Sequence, residues 1–305
     1  MSAQVLVICG ATATGKTALA VSCAKLLNSA VISADSQLVY KGLDIGTAKP
    51  SEEEKLGVPH YMIDVAEPFA EYSVSDYREA ALPIVEKMVS EGKIPVICGG
   101  TGFYINSLLF DLSYGKVAAA PEVREKYEKL AEERGKEYVY DILKQTDPAA
   151  AEKLHPNDLK RVIRALEIFE AGGVKKSEIN DGQKARFDYV AVAIDYPREE
   201  LYERINLRVD KMFEAGLVEE VSSLLSRGID ENCRCMQAIG YKEVIECLKN
   251  GLSQSTMRDI IKQNTRRYAK RQITFFKKLP NLINLPAKQA TAEKVIEILN
   301  NYERI

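Results

Sequence analysis

A glycine-rich segment near the start of the chain has the residue types and spacing of a phosphate-binding loop. Its residues are Gly10, Ala11, Thr12, Ala13, Thr14, Gly15, Lys16 and Thr17, which fit the pattern G-x-x-x-x-G-K-[ST]. The segment follows an apolar run at residues 5–9 and precedes a helical pattern, which is the strand–loop–helix context that the motif requires. Backbone N–H groups and Lys16 can neutralise phosphates there, and Thr17 can hold Mg²⁺. The segment predicts a site for a di- or triphosphate.

Two polar residues follow other strand-like runs. Asp35 comes after residues 30–34, and Thr101 comes after the double glycine that ends residues 94–100. Because the carboxyl ends of parallel strands meet at one edge of the sheet, Asp35 should face the phosphate loop. Asp35 could act there as a general base on an acceptor substrate, or it could cap the next turn. Thr101 is either a cap or a hydroxyl donor to a phosphate oxygen.

The basic residues are unevenly distributed. The net charge of the whole chain is −2, yet residues 258–278 carry eight basic residues and one acidic residue, a net charge of +7. The basic residues are Arg258, Lys262, Arg266, Arg267, Lys270, Arg271, Lys277 and Lys278, with Tyr268, Phe275 and Phe276 among them. On a helix, the i,i+4 pairs within this set form two adjacent basic stripes. Such stripes are either a solvated helix face or a surface for RNA, which binds to cations interleaved with aromatic rings.

Composition excludes several other classes of protein. The six cysteines contain no C-x-x-C pair and the two histidines lie far apart, so the sequence offers no zinc site and favours a reducing, cytoplasmic location. No apolar run approaches the roughly 20 residues that span a bilayer, and we expect no secretory leader and no membrane partner. Nothing in the sequence resembles a coiled coil, and we expect a monomer.

The order of strand-like and helical patterns predicts an α/β fold. Strand-like runs occupy residues 4–9, 30–34, 94–100 and 188–196, and helical patterns at residues 121–135 and 157–173 lie between the last two. The prediction is a P-loop core of parallel sheet flanked by helices, formed by residues 1–111 and 188–305, with the basic helices near its end. Residues 112–187 would form a helical insertion domain.

A longer motif then suggests a family. Residues 33–50, SADSQLVYKGLDIGTAKP, closely resemble the signature of the bacterial tRNA dimethylallyltransferases. Further blocks resemble the same family in the same order: GATATGKT at 10–17, GGTGFY at 99–104, HPND and LKRVIRALE at 155–167, MQAIGYKE at 236–243 and KRQITFF at 270–276. The chain departs from the family at Ala11, where proline is usual, and at Phe275, where many members have tryptophan. Neither departure removes a group that the chemistry needs.

The resemblance implies a transferase that acts on RNA. Such an enzyme moves a dimethylallyl group from dimethylallyl pyrophosphate to N6 of adenine 37, immediately 3′ of the anticodon, in tRNAs that read codons beginning with U. Residues 10–17 would hold the pyrophosphate with Mg²⁺ on Thr17, and Asp35 would accept the N6 proton. The resemblance implies a catalytic group of Lys16, Asp35, Thr101 and Arg208. Arg204 competes with Arg208 for the role of phosphate-binding arginine, and each could instead be a surface i,i+4 partner of neighbouring acids.

The resemblance also implies where tRNA would bind. The target adenine must leave its stack to reach Asp35, and residues 112–187 would grip the anticodon stem-loop. The implied contacts are Asp35, Ser36, Gln37, Leu38, Thr101, Arg124, Lys160, Arg161, Val162, Ile163, Arg164, Met236, Gln237, Ala238, Ile239, Gly240, Tyr241, Lys270, Arg271 and Gln272. From the residues alone, the basic residues at 160–164 could be a solvated helix face, and Gln237 could read a base edge or be a buried turn residue.

Three other functions share some of these features. A P-loop kinase acting on a small metabolite would use the same loop and acid, but it leaves the basic helix and the insertion without a role. An adenylate dimethylallyltransferase would prenylate a free nucleotide and would need no RNA-binding arm. A non-catalytic RNA-binding protein is disfavoured by the intact set of Lys16, Thr17 and Asp35.

Overall fold

The computed structural model describes residues 3–112, 120–179 and 184–302. The chain forms two compact units, the first made of Met1–Leu109 with Ala185–Ile305 and the second of Phe110–Lys184. The sequence pattern places the corresponding boundaries at residues 111 and 187.

The first unit is built on a parallel sheet. Its strands are β1 (Val5–Cys9), β2 (Val31–Ser33), β3 (His60–Tyr61), β4 (Val96–Gly99), β5 (Tyr189–Asp195) and β6 (Leu282–Pro286). Within the described ranges these six strands have the order β3-β2-β4-β1-β5-β6, and every pair is parallel. β1 is central, with Ile8 opposite Cys98 of β4 and Val192 of β5. The α/β fold class with a parallel sheet is confirmed.

The two outer strands are the ones that the sequence pattern misses. β3 has two residues, one of them exposed, and β6 is buried only at Leu285. Edge strands cover fewer apolar residues than central ones, so neither carries the continuous apolar run that identifies β1 and β5. Backbone pairing with β2 and β5, which sequence periodicity does not show, defines them.

Helices cover the sheet and form the second unit. In chain order they are α1 (Lys16–Leu26), α2 (Glu52–Lys55), α3 (Val74–Ser90), α4 (Gly102–Leu109), α5 (Pro121–Arg134), α6 (Lys136–Thr146), α7 (Pro148–Ala151), α8 (Leu159–Gly172), α9 (Arg198–Glu214), α10 (Leu217–Ser226), α11 (Tyr241–Lys249), α12 (Gln254–Phe276) and α13 (Ala292–Asn300). Short 3₁₀ turns lie at Lys176–Glu178, Arg234–Gln237 and Ala287–Gln289. In the ranges that the structure describes, none of these helices has the length and apolar character to cross a bilayer.

Packing on the sheet fixes the ends of its strands. α1 and α13 pack against each other, and both contribute to the apolar cluster that includes β1. Tyr77 of α3 stacks on Tyr104 of α4 with ring centroids 3.9 Å apart, and its hydroxyl donates to the Ser33 carbonyl over 2.9 Å. Since Ser33 ends β2, this buried hydrogen bond holds the chain two residues before Asp35.

Gly99, the last residue of β4, is required by a close backbone approach. A Cβ added there would lie 2.0 Å from the Ala34 carbonyl oxygen and 2.3 Å from its carbon. Because both are backbone atoms of a neighbouring strand end, no rotamer change relieves the overlap. We expect Gly99→Ala to lower the free energy of unfolding by about 3 kcal/mol in urea titrations.

Gly92 provides the matched control for Gly99. It has a φ of +73° but open space around its Cα, so Gly92→Ala should cost only about 1 kcal/mol of conformational strain. Gly99 has no positive φ, so a loss at position 99 no larger than that of Gly92→Ala would contradict the overlap with Ala34 as the limit on that position.

The second unit has an apolar core of its own. α5, α6 and α8 contribute buried residues such as Tyr127, Val139, Leu143 and Leu166. Asp147 is buried and accepts N–H bonds from Ala150 at 3.1 Å and Ser177 at 2.9 Å, which caps α7 and ties the 3₁₀ turn to it. The predicted end of α8 is observed, because Gly173 has a φ of +66° at the helix C-cap.

Candidate active site

A cavity of about 360 Å³ opens in the first unit at the carboxyl ends of β1, β2 and β4. Its wall is formed by the phosphate loop, the segment after β2, residues 46–48, residues 237–239, one face of α9 and one face of α12. Ligands of parallel α/β sheets bind at this edge because strand ends and loops converge there. The phosphate loop and Asp35 therefore line the same cavity. The sequence predicts this placement, because Asp35 follows a strand whose carboxyl end lies at the same edge of the sheet.

The phosphate loop has the backbone conformation of an anion cradle. Gly10 and Gly15 have φ values of +122° and +87°, which only glycine adopts without strain. The Lys16 ammonium donates to the Ala11 carbonyl over 2.8 Å, so the side chain curls back along the loop. Burial lowers the pKa of Lys16. A bound diphosphate would supply the negative charge that a buried ammonium lacks here.

Asp35 lines the cavity and also caps a turn. Its Oδ1 accepts the Gln37 N–H over 2.9 Å, and the half-buried carboxylate still faces the cavity. The two alternatives that the sequence leaves open, a base and a cap, are therefore compatible. The hydrogen bond holds the carboxylate in one orientation and leaves the second oxygen for a proton acceptor role.

Thr101 supports this segment from behind. Its Oγ1 accepts the Ser36 N–H over 2.9 Å and its hydroxyl donates to Ser36 Oγ over 3.3 Å. Thr101 is half-buried and does not line the cavity. These two hydrogen bonds give Thr101 a role that differs from both predicted ones, because they join it to Ser36, 65 residues away, and neither caps α4 or reaches a phosphate.

The two candidate arginines lie on different sides of the phosphate loop. Arg208 lines the cavity, and its Nη2 donates to the Thr47 carbonyl over 3.1 Å. Burial lowers the pKa of Arg208 and the nearby Asp35 carboxylate acts to raise it. Arg204 is exposed, donates from Nε to the Ala13 carbonyl over 2.8 Å and stacks on Tyr196. Of these two arginines, Arg208 is the one that adds positive charge to the cavity.

Part of the basic segment on α12 is used for packing. Lys262 forms an ion pair with Asp210 at 2.7 Å, and Arg266 Nη1 donates to Asn206 Oδ1 over 2.6 Å. Both acceptors belong to α9. The face toward α9 therefore satisfies two of these basic residues inside the protein. Arg267 and Lys270 are exposed, and Arg271 lines the cavity.

Gln272 has a role that sequence reasoning missed. Its Oε1 accepts the Thr12 N–H over 2.9 Å and its Nε2 donates to the Gly100 carbonyl over 3.0 Å. The side chain is buried at 5% exposure. Both ends of the amide join the phosphate loop to the end of β4, and the residue also lines the cavity, so its predicted contact with RNA stays a prediction. The one sequence signal for a functional role of Gln272 is its place in the block KRQITFF at residues 270–276.

Several other predicted RNA contacts are core residues. Val162 and Ile163 are buried in the second unit, and Met236, Ala238, Gly240 and Tyr241 are buried in the first. The side chains of Val162, Ile163, Met236 and Tyr241 pack inside the protein, so a direct side-chain contact with RNA is corrected for these four residues. Ala238 is buried but lines the cavity, so its predicted contact stays a prediction. Gln237 is exposed and lines the cavity, and its Nε2 donates to the Glu231 carbonyl over 2.8 Å. The alternative of a buried turn residue is therefore wrong. Ile239, Ser36, Gln37 and Leu38 also line the cavity.

The cations predicted on the second unit are present at its surface. Lys160 and Arg161 are exposed. Arg124 Nε and Arg164 Nη1 both donate to the fully buried Glu167, at 2.8 and 2.5 Å. One carboxylate therefore orients two partly exposed guanidinium groups from α5 and α8.

Glu167 should give the second unit an acid-sensitive contribution to stability. Burial acts to raise the pKa of Glu167, but hydrogen bonds from Arg164, the Ala120 N–H and Arg124 outweigh it and lower the pKa. The folded state therefore gains stability above the unfolded pKa of about 4.3, and loses it as pH falls through the lower folded pKa. We expect Glu167→Gln to lower the free energy of unfolding by about 3 kcal/mol at neutral pH. The difference in unfolding free energy between this variant and wild type should narrow below about pH 4.

The measurement is urea unfolding of wild type and Glu167→Gln between pH 7 and pH 3. Glu122→Gln, an exposed residue at the start of α5, serves as control and should match wild type throughout. A difference in unfolding free energy that stays constant down to pH 3 would contradict the assignment of the ionised carboxylate as the stabilising form.

The oxygen donors at the cavity suit a Mg²⁺ ion shared with a phosphate ligand. In the described part of the chain no group of three His, Cys, Asp or Glu side chains could bind a metal alone. Thr17 and Asp35 both line the cavity and offer a hydroxyl and a carboxylate. Mg²⁺ commonly takes one or two such protein ligands and completes its shell with water and substrate phosphates.

The parallel sheet, the glycine cradle at the start of α1 and the adjacent acid define a P-loop α/β protein built to act on a phosphate-bearing ligand. Residues 38–279 match the family model for IPP transferase. The chain is 46% identical over 286 residues to a tRNA dimethylallyltransferase of Alkaliphilus oremlandii, covering 92% of this chain and 91% of the relative. It is 45% identical over 306 residues to a tRNA dimethylallyltransferase of Acetivibrio thermocellus, covering 98% and 97%.

Solved structures agree with these relatives. A tRNA isopentenylpyrophosphate transferase from Bacillus halodurans has a TM-score of 0.72 at 39% identity, covering 97% of this chain and 94% of that one. A eukaryotic dimethylallyltransferase acting on tRNA has a TM-score of 0.83 at 30% identity, covering 98% and 79%. The chain belongs to the IPP transferase family.

Proposed function

We propose that this enzyme transfers the dimethylallyl group of dimethylallyl pyrophosphate to N6 of adenine 37 in tRNAs that read codons beginning with U. The observation that carries the proposal is the cavity in which Lys16, Arg208 and Asp35 all take part. Two cations next to a phosphate cradle suit a leaving diphosphate, and a carboxylate beside them suits removal of a proton from the acceptor. Membership of the IPP transferase family supports the same chemistry.

The proposed reaction is a single group transfer. The lone pair of N6 forms a bond to the first carbon of the allyl group, and the bond from that carbon to the diphosphate oxygen breaks. The N6 proton passes to Asp35, and pyrophosphate leaves. Backbone N–H groups of residues 10–17, Lys16 and Arg208 stabilise the negative charge that develops on the diphosphate. Mg²⁺ held by Thr17 would add positive charge at the same group when bound.

The acceptor base must be turned out of the anticodon loop to enter the cavity. Ser36, Gln37, Leu38, Gln237 and Ile239 line the cavity and supply polar and apolar contacts for a base. Exposed cations on both units, including Lys160, Arg161 and Lys270, are suited to contact the phosphate backbone. We propose that the reaction takes place in the cytoplasm, where tRNAs take part in translation, and that the enzyme acts as a monomer.

The proposal is tested by prenyl transfer from radiolabelled dimethylallyl pyrophosphate. Unmodified tRNA and AMP are offered side by side with Mg²⁺, and a parallel reaction contains EDTA. Label in tRNA alone, dependent on Mg²⁺, is the expected result. Label in AMP would instead identify an enzyme that prenylates a free nucleotide. If neither acceptor is labelled, the proposal of a prenyl transferase fails, and a small-molecule kinase becomes the better hypothesis for the loop.

A further inference from the structure

The second half of the signature at residues 33–50 lies beside the cavity but supplies no side chain to the proposed chemistry. Gly46, Thr47 and Ala48 line the cavity. The charged side chain of Asp44 pairs with Lys49 Nζ at 2.6 Å. The lining residues Gly46, Thr47 and Ala48 are small, so the course of their backbone sets where this wall of the cavity lies.

Glu220, in the first turn of α10, holds this backbone. Its Oε2 accepts the N–H groups of Asp44 at 2.9 Å and Ile45 at 2.8 Å, and its Oε1 accepts the N–H of Gly46 at 3.1 Å. Three consecutive N–H groups therefore converge on one carboxylate. Charge-assisted hydrogen bonds of this kind are roughly twice as strong as neutral ones, so Glu220 anchors the segment firmly.

Tyr241 completes the anchor. Its hydroxyl donates to Glu220 Oε1 over 2.6 Å, and its ring is fully buried. A Cβ added at Gly46 would lie 2.4 Å from a carbon of that ring, so the backbone of Gly46 packs directly on it. Burial raises the pKa of Tyr241, and the Glu220 charge raises it further, which keeps the hydroxyl protonated as a donor. The segment is thus held by hydrogen bonds and by close packing together.

The next residue along the held segment meets Arg208. The Thr47 carbonyl accepts the 3.1 Å bond from Arg208 Nη2, and Thr47 Oγ1 donates to the Leu43 carbonyl over 2.6 Å. Arg208 lines the same cavity as Lys16 and Asp35. A shift of the backbone at residues 44–46 would move the Thr47 carbonyl and with it the guanidinium group. Glu220 itself is not part of the cavity lining, but this carbonyl connects it to the Arg208 guanidinium inside the cavity.

We propose that Glu220 is a positioning residue for the diphosphate group: by accepting the N–H groups of residues 44–46, it places the Thr47 carbonyl where that carbonyl orients the Arg208 guanidinium in the cavity. The inference rests on the proposed function, because it takes the diphosphate as the ligand of Arg208. It assigns a purpose to the backbone of the family signature and to a glutamate that lies far from that signature in the sequence.

The test is a double-mutant cycle read out by the binding of inorganic pyrophosphate with Mg²⁺, using isothermal titration calorimetry on the whole protein. Glu220→Gln keeps the size of the side chain but places an amide nitrogen against N–H donors. We expect it to weaken pyrophosphate binding about tenfold in the wild-type background and to have no further effect in an Arg208→Ala background. Glu219→Gln, the exposed neighbour on the same turn, should bind as wild type does.

Two results would overturn the inference. One is unchanged pyrophosphate affinity in folded Glu220→Gln, and the other is an equal loss in both backgrounds, which would mean that Glu220 does not act through Arg208. If Glu220→Gln does not fold, Tyr241→Phe removes one donor to the same carboxylate and should weaken binding about threefold, again only when Arg208 is present. No step uses tRNA or the prenyl donor, so a failure of the wild-type protein to prenylate tRNA would reject the proposed function and leave this result readable.

Discussion

Replacing Asp35 with alanine is expected to lower the rate of prenyl transfer to tRNA about a thousandfold while tRNA affinity changes by less than about twofold. The carboxylate lines the cavity beside Lys16 and Arg208, and its proposed work is to accept one proton from N6. Since a general base acts in the transition state, its loss should appear in kcat and leave KM nearly unchanged. The measurement is single-turnover transfer with saturating donor, together with a filter-binding titration of tRNA.

Asp35→Asn separates the base from the cap. Asparagine retains an oxygen that can accept the 2.9 Å bond from Gln37 N–H, but it cannot take up a proton at neutral pH. Both variants should therefore be equally slow. If Asp35→Asn kept most of the wild-type rate, the capped turn would be what catalysis needs from this residue, and the proposal of a general base would be rejected.

Replacing Lys16 with alanine is expected to reduce kcat/KM for dimethylallyl pyrophosphate roughly a hundredfold. Lys16 lies at the start of α1 and curls along the phosphate loop, where its ammonium can meet the oxygens of a diphosphate. The loss should exceed that of a surface charge because the cavity is partly shielded from water, and electrostatic interactions are stronger there. Steady-state kinetics with the donor varied at saturating tRNA measure the effect.

Lys25→Ala is the matched control for Lys16, since Lys25 is an exposed lysine in the last turn of the same helix. It should leave kcat/KM within about twofold, because a solvent-exposed charge at that distance is screened. Comparable losses for the two variants would mean that the net charge of α1, and not an ammonium in the cradle, governs donor binding.

Local sequence determined the parts of this site whose structure is local. The glycines at 10 and 15 allow the backbone turn of the cradle, and the apolar runs at β1, β2 and β4 place residues 10–17 and Asp35 at one edge of a sheet. These follow from steric limits on φ and from the burial of alternating or continuous apolar runs, both of which act over a few residues. The identification of the family rests on the same short blocks.

Such local patterns do not predict contacts between segments that are distant in the chain. The basic residues of α12 look equivalent along the sequence, yet Lys262 and Arg266 are satisfied by α9, whereas Arg267 stays exposed. Arg204 and Arg208 lie one helical turn apart, and only packing shows which of them faces the cavity. The reason is that a side chain's partner depends on which elements pack together, and periodicity fixes a face but not its neighbour.

By itself, then, the sequence determined the class of fold, the phosphate cradle, the acid beside it and the family, because each depends on backbone preferences or burial within one segment. Only the tertiary structure decided three contacts. Gln272 is hydrogen-bonded to the phosphate loop and to the end of β4, Thr101 accepts the Ser36 N–H, and Glu220 accepts the N–H groups of residues 44–46. Each of those three contacts includes a hydrogen bond between half-buried groups at least 65 residues apart in the chain. Such bonds form because buried polar groups must find partners, and the partner is whichever group the packed helices and strands bring within reach.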